Sequence, residues 1–258
     1  MPRKPSPPQS ESVSPSESSA PTPAPLTSRQ RLAANTRARI FKVAIREFAD
    51  KGFSGARVET IATRSKVNIR MIYHYFGGKE ALYIEVLEHV LANLRDAELK
   101  LKLDVEQVEP ETGILQLYDF TEAHFAAHPE LLNLLSSENL NRARFLKRSK
   151  LIPKISSPVL NLLRTLITRG EAAGTLRPHI DALHLYVLLV SLCYFHKSNA
   201  HTISRMFETD MLTPQWQSDH RDQAHEVILA YLRAPQHADV KLDARNTALA
   251  EAVASTAS

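Results

Sequence analysis

Between Arg57 and Lys79 the chain gathers hydrogen-bond donors of a particular kind. Arg57, Asn68, Arg70, Tyr73, His74 and Lys79 fall within 23 residues, alongside the exposed-type apolar positions Ile69 and Met71. A guanidinium can take the O6 and N7 of guanine together, and ammonium, phenol and backbone N–H groups can take phosphate oxygens. The spacing offers no bond-making chemistry. The chain contains no Gly-rich phosphate loop, nucleophile elbow or paired-carboxylate motif. The donor set therefore predicts recognition of a duplex rather than catalysis, with no cofactor implied.

Short helices must present these groups. Val58, Ile61, Ala62 and Ser65 recur at i, i+3, i+4 and i+7, the inward face of one helix. Val67 plugs the turn and Asn68 is suited to cap a second helix by accepting from a free backbone N–H. In that helix Ile72 and Phe76 share a face. Asn68, Ile69, Arg70, Met71, Tyr73 and His74 are left as the outward or leading surface. A helix of about eight residues cannot hold itself in water, so it needs a brace. The stripe Ile40, Phe41, Ala44, Ile45 and Phe48 supplies one, in a helix expected to start at Asn35 or Thr36 and stop at Lys51-Gly52, with Gly52 as a left-handed cap.

Gly52-Phe53, Val58-x-x-Ile61-Ala62, the run Ile72 to Phe76 and the run Lys79 to Leu82 occur in an order and spacing that resemble the TetR family of bacterial transcriptional regulators. The resemblance runs from Thr36 to Leu91. It implies an all-α fold: an N-terminal three-helix helix-turn-helix DNA-binding domain plus a C-terminal helical ligand-binding and dimerisation domain. It places Arg57, Tyr73 and Lys79 on phosphates, and Asn68, Ile69, Arg70 and His74 on bases or backbone. Two positions depart from the family pattern. Ala56 stands where Thr or Ser caps the first helix, leaving Ser54 as a less direct cap. Lys66 stands where the turn carries Gly, and a left-handed non-Gly residue costs roughly 1–2 kcal/mol.

Charge agrees with a division of labour. Residues 29–80 carry twelve Lys or Arg against four Asp or Glu, whereas residues 81–258 carry eighteen against twenty-two. A basic head joined to an acidic body is the asymmetry of a polyanion-binding domain with a partner domain of another task. One cysteine, Cys193, excludes an internal disulfide and suits a reducing compartment. No signal sequence is recognisable. The apolar run Leu183 to Phe195 is shorter than the ~20 residues that span a bilayer, so a cytoplasmic protein is expected.

Four segments follow. Residues 1–28, with eight Pro and eight Ser, are expected to be a disordered tail. Residues 29–80 hold a basic arm, read either as a flexible DNA contact or as a solvated tail, and the helix-turn-helix. Residues 81–233 form the helical ligand-binding and dimerisation domain, and residues 234–258 a mobile tail. Within the body, Tyr83, Leu87, Val90, Leu94, Ala97 and Leu101 predict a connector helix of about 22 residues. Asp104 to Gly113 reads as a loop, Pro129 as a helix start, 141–150 as a basic patch, Ser157-Pro158 as a helix start, and Asp181 as the cap of an apolar helix buried on most sides. Helices near 181–208 and 217–233 are the candidates for a homodimer interface. Polar or aromatic groups beside apolar stripes make His124, Glu138, Asn139, Arg164, Tyr194, His196, Asn199 and Trp216 the candidate effector contacts. His124 and His128 lack the Cys or carboxylate partners that a zinc site needs. Two functions fit: a repressor that leaves a palindromic operator when a small molecule binds, or a constitutive or architectural DNA-binding dimer without a ligand.

Overall fold

The computed structural model describes residues 27–233 except Lys102 and Ser156. The tails expected at 1–28 and 234–258 lie outside the described residues, apart from Thr27 and Ser28. Every regular element described is helical. The head comprises α1 (Ser28–Gly55), α2 (Val58–Arg64) and α3 (Ile69–Phe76). The connector α4 (Lys79–Lys100) leads to α5 (Pro110–Ala127), α6 (Pro129–Leu140), a 3-10 turn (Leu146–Arg148) and α7 (Ile152–Ile155). The chain continues through α8 (Ser157–Ala172), α9 (Ala182–Ser198), α10 (Ala200–Met206) and α11 (Pro214–Arg233).

The first helix begins well before Asn35. Thr27 accepts from the Gln30 N–H at 3.3 Å while its own N–H donates to Gln30 Oε1 at 2.8 Å, a reciprocal box that starts α1 at Ser28. The basic arm is therefore helical rather than flexible over Arg29 to Arg39. Gly52 does interrupt the helix, but at φ 63 and ψ −179 rather than in the left-handed cap conformation. That region is essentially restricted to glycine. A last turn then carries the helix to Gly55.

Ile40, Ala44, Phe48, Ile61 and Ile72 are wholly buried and form the head core. The interface with the body is aromatic. Phe53 lies 4.2 Å from Phe145, and Tyr83 lies 4.9 Å from Phe48 and 5.1 Å from Phe145, ring centre to ring centre. Burial pushes the Tyr83 phenol up to about 12. An Arg37–Glu85 ion pair at 2.5 Å and a Ser149–Glu88 hydrogen bond at 2.6 Å add polar ties along α4.

Three expectations for the body change. Pro110 occupies the first turn of α5, so the loop ends earlier than Gly113; proline's missing N–H is no loss there. The sequence expects a second helical piece from Lys197 to about Glu208; Lys197 instead lies within α9, which ends at Ser198, and α10 runs only from Ala200 to Met206. The apolar helix capped by Asp181, which accepts from the His184 N–H at 2.8 Å, is not buried on most sides. Leu183, Val187 and Phe195 are 53%, 53% and 61% exposed in the single chain. Deeper in the body, Arg95 and Glu98 form a buried pair on α4, and Arg95 also donates to the Tyr186 hydroxyl at 2.8 Å. Burial is the chief influence on both, holding Glu98 above its ordinary value.

Candidate nucleic-acid interface

The α3 helix is built as its sequence suggests. Asn68 Oδ1 accepts from the Arg70 N–H at 2.9 Å, fixing the first turn, and Gly77 closes the last in a left-handed conformation. Ile72 and Phe76 are buried, which turns Asn68, Arg70, Tyr73 and His74 to solvent. Ile69 and Met71 are only half-buried and lean on the head core, so their outward role is partial. Arg57 stands exposed at the start of α2. Lys79 lies in the first turn of α4, its Nζ 4.7 Å from the centre of the Phe53 ring. Among the described residues no carboxylate forms an ion pair with Arg57, Arg70 or Lys79.

The two departures from the motif resolve differently. Lys66 takes φ 53, so the turn keeps its left-handed residue and bears the strain. Ser54 does not cap α2. It lies within the last turn of α1, and α2 has no side-chain cap. Glu47 serves instead. This buried carboxylate accepts from Arg64 at 3.0 Å and, more distantly, from the Arg57 N–H at 3.4 Å, tying both ends of α2 to α1. Its signal was a lone acid three residues after Ala44, inside the apolar stripe.

Known proteins carry the same two parts. Residues 40–86 match the model of bacterial regulatory proteins of the tetR family, and residues 110–228 match the tetracyclin repressor-like C-terminal domain. The HTH-type transcriptional repressor NicS of Pseudomonas putida is 39% identical over 74% of this chain and 89% of that protein. The chain belongs to the TetR family. A second family member, the repressor SCO4008 of Streptomyces coelicolor, is 39% identical over 61% of this chain and 76% of its own. In fold, the TetR protein resembles SCO4942 of Streptomyces coelicolor (TM-score 0.58, 24% identity, 76% of this chain and 98% of that one). A TetR-like regulator from Rhodococcus sp. RHA1 gives a TM-score of 0.53 at 13% identity, over 77% of this chain and 93% of that one. As a TetR-family member the protein is a DNA-binding transcriptional regulator and not an enzyme. No helix among the described residues is long and apolar enough to cross a membrane.

The candidate effector contacts of this TetR protein do not converge. Glu138 is buried at the joint with the head, where Oε2 accepts from the Phe145 and Leu146 N–H groups at 3.1 and 3.0 Å. Asn139 and Arg164 are exposed, and Arg164 donates to Asn161 at 2.8 Å. Asn199 donates to the Phe195 carbonyl at 3.0 Å and caps α9. Tyr194 shares a 2.6 Å hydrogen bond with Ser136. His124, half-buried, lies 4.4 Å from the His128 ring; burial first, then that neighbour, pushes its pKa down. Only His196 and Trp216 come together, their rings 5.7 Å apart. They join a polar cluster missed in the sequence: Glu122 pairs with Lys197 at 2.6 Å, Gln217 accepts from Lys197 at 3.0 Å, and Trp216 stacks on His220. A cleft of about 280 Å³ beside it is lined by Asp119, Glu122, Lys197 and Arg221 among others. A larger cleft, about 530 Å³, lies between α1 and α4 and contains Arg37, Phe41, Glu85 and His89.

Proposed function

We propose that this protein is a cytoplasmic, ligand-responsive repressor that binds a palindromic operator as a homodimer and is released by a small-molecule effector. One observation carries the dimer. Leu183, Val187 and Phe195 on α9 and Val227 on α11, the last 48% exposed, present large apolar groups to water from the two helices marked in the sequence. Pairing α9 and α11 across a two-fold axis would cover them. It would also set two α3 helices for two half-sites about one DNA turn (~34 Å) or a multiple apart. Arg57, Asn68, Ile69, Arg70, Met71, Tyr73, His74 and Lys79 are then the DNA contacts of each head.

Release is assigned to α4. Its head end is gripped by aromatic rings and its body end by Tyr186 of α9, so a displacement in the body reaches the head through one rigid element. A constitutive dimer is the second reading, favoured by the scatter of the eight effector candidates, of which only His196 and Trp216 meet. Three measurements separate these readings. Light scattering at micromolar protomer is expected to give a dimer, and a monomer would overturn the assembly. Titration of the DNA beside its own gene is expected to show salt-sensitive binding stronger than to scrambled DNA. A small-molecule thermal-shift screen is expected to yield a stabilising compound that also weakens operator binding, reciprocally. A compound that stabilises without altering DNA affinity would favour the constitutive reading.

A further inference from the structure

None of the cations in the basic patch after α6 lines the clefts described above, and none lies on the proposed dimer face. Residues 141–154 hold Arg142, Arg144, Lys147, Arg148, Lys150 and Lys154 and no acid, within a body whose net charge is negative. All six are exposed.

Their position is fixed by the joint with the head. Buried Phe145 packs against Phe53, the rings tilted by 41°, and Phe53 in turn carries the Lys79 ammonium over its ring at 4.7 Å. Arg148 pairs with Glu80, the residue next to Lys79. The Glu138 carboxylate grips the Phe145 and Leu146 N–H groups from beneath. Arg142 and Ala143 hold positive φ values of 54 and 55, a strained turn kept in place by the Ala143 N–H donating to the Glu138 carbonyl at 2.7 Å. Strain persists where surrounding structure over-determines it, and here it fixes the path of a cationic loop. Three acids lie close, Glu80, Glu88 and Glu138; the first is occupied by Arg148, the second by Ser149 and the third by the loop's own Phe145 and Leu146 amides. Among the described residues Arg142, Lys147, Lys150 and Lys154 have no ion-pair partner, and Arg144 only leans over the Phe145 ring at 5.3 Å.

We infer that this loop is a second phosphate-binding surface, by which the C-terminal domain itself grips the DNA backbone flanking the half-site read by α3. The inference rests on the DNA-binding reading above. It adds that the affinity is shared between the two domains. Because α6 and α4 hold the loop, a movement of the body that releases the heads would withdraw these contacts at the same time.

The test uses the full-length protein and a fluorescein-labelled, mixed-sequence 40-base-pair duplex, with binding followed by anisotropy across a series of KCl concentrations. Each phosphate neutralised contributes about 0.9 to the slope of log K against log salt. The variant Arg142→Asn/Arg144→Gln/Lys147→Gln/Lys150→Gln keeps the Arg148–Glu80 pair, and Asn tolerates the positive φ. Its slope is expected to be shallower by about two to three, with affinity at ~100 mM salt lower by about ten- to a hundredfold. Lys79→Gln, run beside it, is expected to lower the slope by about one. A wild-type slope in the loop variant, with Lys79→Gln reduced, overturns the loop's role alone and leaves its cations to solvent or an acidic protein. No salt-sensitive binding by the wild type overturns the DNA reading and this inference together. If the fourfold variant has lost its cooperative unfolding transition, Lys147→Glu at an exposed position gives the same readout, with an unchanged slope again decisive against.

Discussion

Gly52→Ala probes the seam between head and body with a magnitude that can be worked in advance. At φ 63 and ψ −179 the residue occupies a region costing about 1–3 kcal/mol for a side chain. The new Cβ would also meet Ser137 Oγ on α6 at 2.9 Å, closer than real contacts allow. Ser137 can rotate away at an off-rotamer cost of roughly 0.5–1.5 kcal/mol. The reduced freedom of the unfolded chain returns about 0.4–1 kcal/mol. The net expectation is a loss of about 2 kcal/mol, read from urea unfolding at fixed protomer concentration. A double-mutant cycle separates the two contributions. With Ser137→Ala the nearest atom becomes the Cβ at 3.8 Å, an ordinary contact, so about 1 kcal/mol should return while the backbone strain stays. Strict additivity would remove the steric part of the reasoning. A Gly52→Ala protein within about 0.5 kcal/mol of wild type would remove all of it.

Further expectations concern the DNA, the dimer and pH. Arg70→Ala should narrow the gap between operator and random DNA by about 1–3 kcal/mol, whereas Lys79→Ala should weaken both alike; equal losses from the two variants on both DNAs would refute that division. Val187→Glu places an unpaired charge in the proposed α9 face and should raise the dimer dissociation constant at least a hundredfold, checked by sedimentation; an unchanged dimer would move the interface elsewhere. Burial holds the His124 and His220 pKa values below the unfolded value near 6.5, so the stability they contribute is complete above that pH and declines as pH falls through it. Thermal unfolding midpoints should therefore drop between about pH 7.5 and 5.5, and the drop should shrink in His124→Gln/His220→Gln; the same drop in the double variant would assign it to other groups.

How legible these features were depends on how local their causes are. The α3 and α4 bounds were readable because Asn68, Gly77 and a regular apolar stripe act within a few residues. The start of α1 was equally local but was passed over, since the Thr27–Gln30 box sits among proline- and serine-rich residues. Glu47 was not legible as the clamp of α2, because its partners Arg57 and Arg64 come from a later helix. The apolar run of α9 reads both as a helix buried on most sides and as a candidate dimer interface, and its pattern alone does not apportion the two. Hydrophobicity reports that a face avoids water, and it does not say whether the same chain or a second copy provides the cover. Effector residues are the extreme case, since a cavity is made by elements far apart in sequence, and Glu138, plausible as a ligand contact, is instead committed to the Phe145 and Leu146 amides.

The buried polar groups lie at boundaries, and this bears on how a signal would travel. Glu47 joins α1 to α2, Glu138 joins α6 to the loop under the head, and Arg95–Glu98 joins α4 to Tyr186 of α9. Removing one partner of such a pair is strongly unfavourable, so each contact should survive a conformational change and move as a unit. The body then has few ways to release the head except by moving α4 whole. At 1.5 Å per residue Lys79 lies about 24 Å along α4 from Arg95, so a tilt of about 5° about the Arg95 end would shift the Lys79 end by about 2 Å. That is enough to break the proposed hydrogen bonds to phosphates from Lys79 and Tyr73 in both heads of the proposed dimer at once. A coupling of about 1–3 kcal/mol can therefore arise from geometry alone, without unfolding any part of the head.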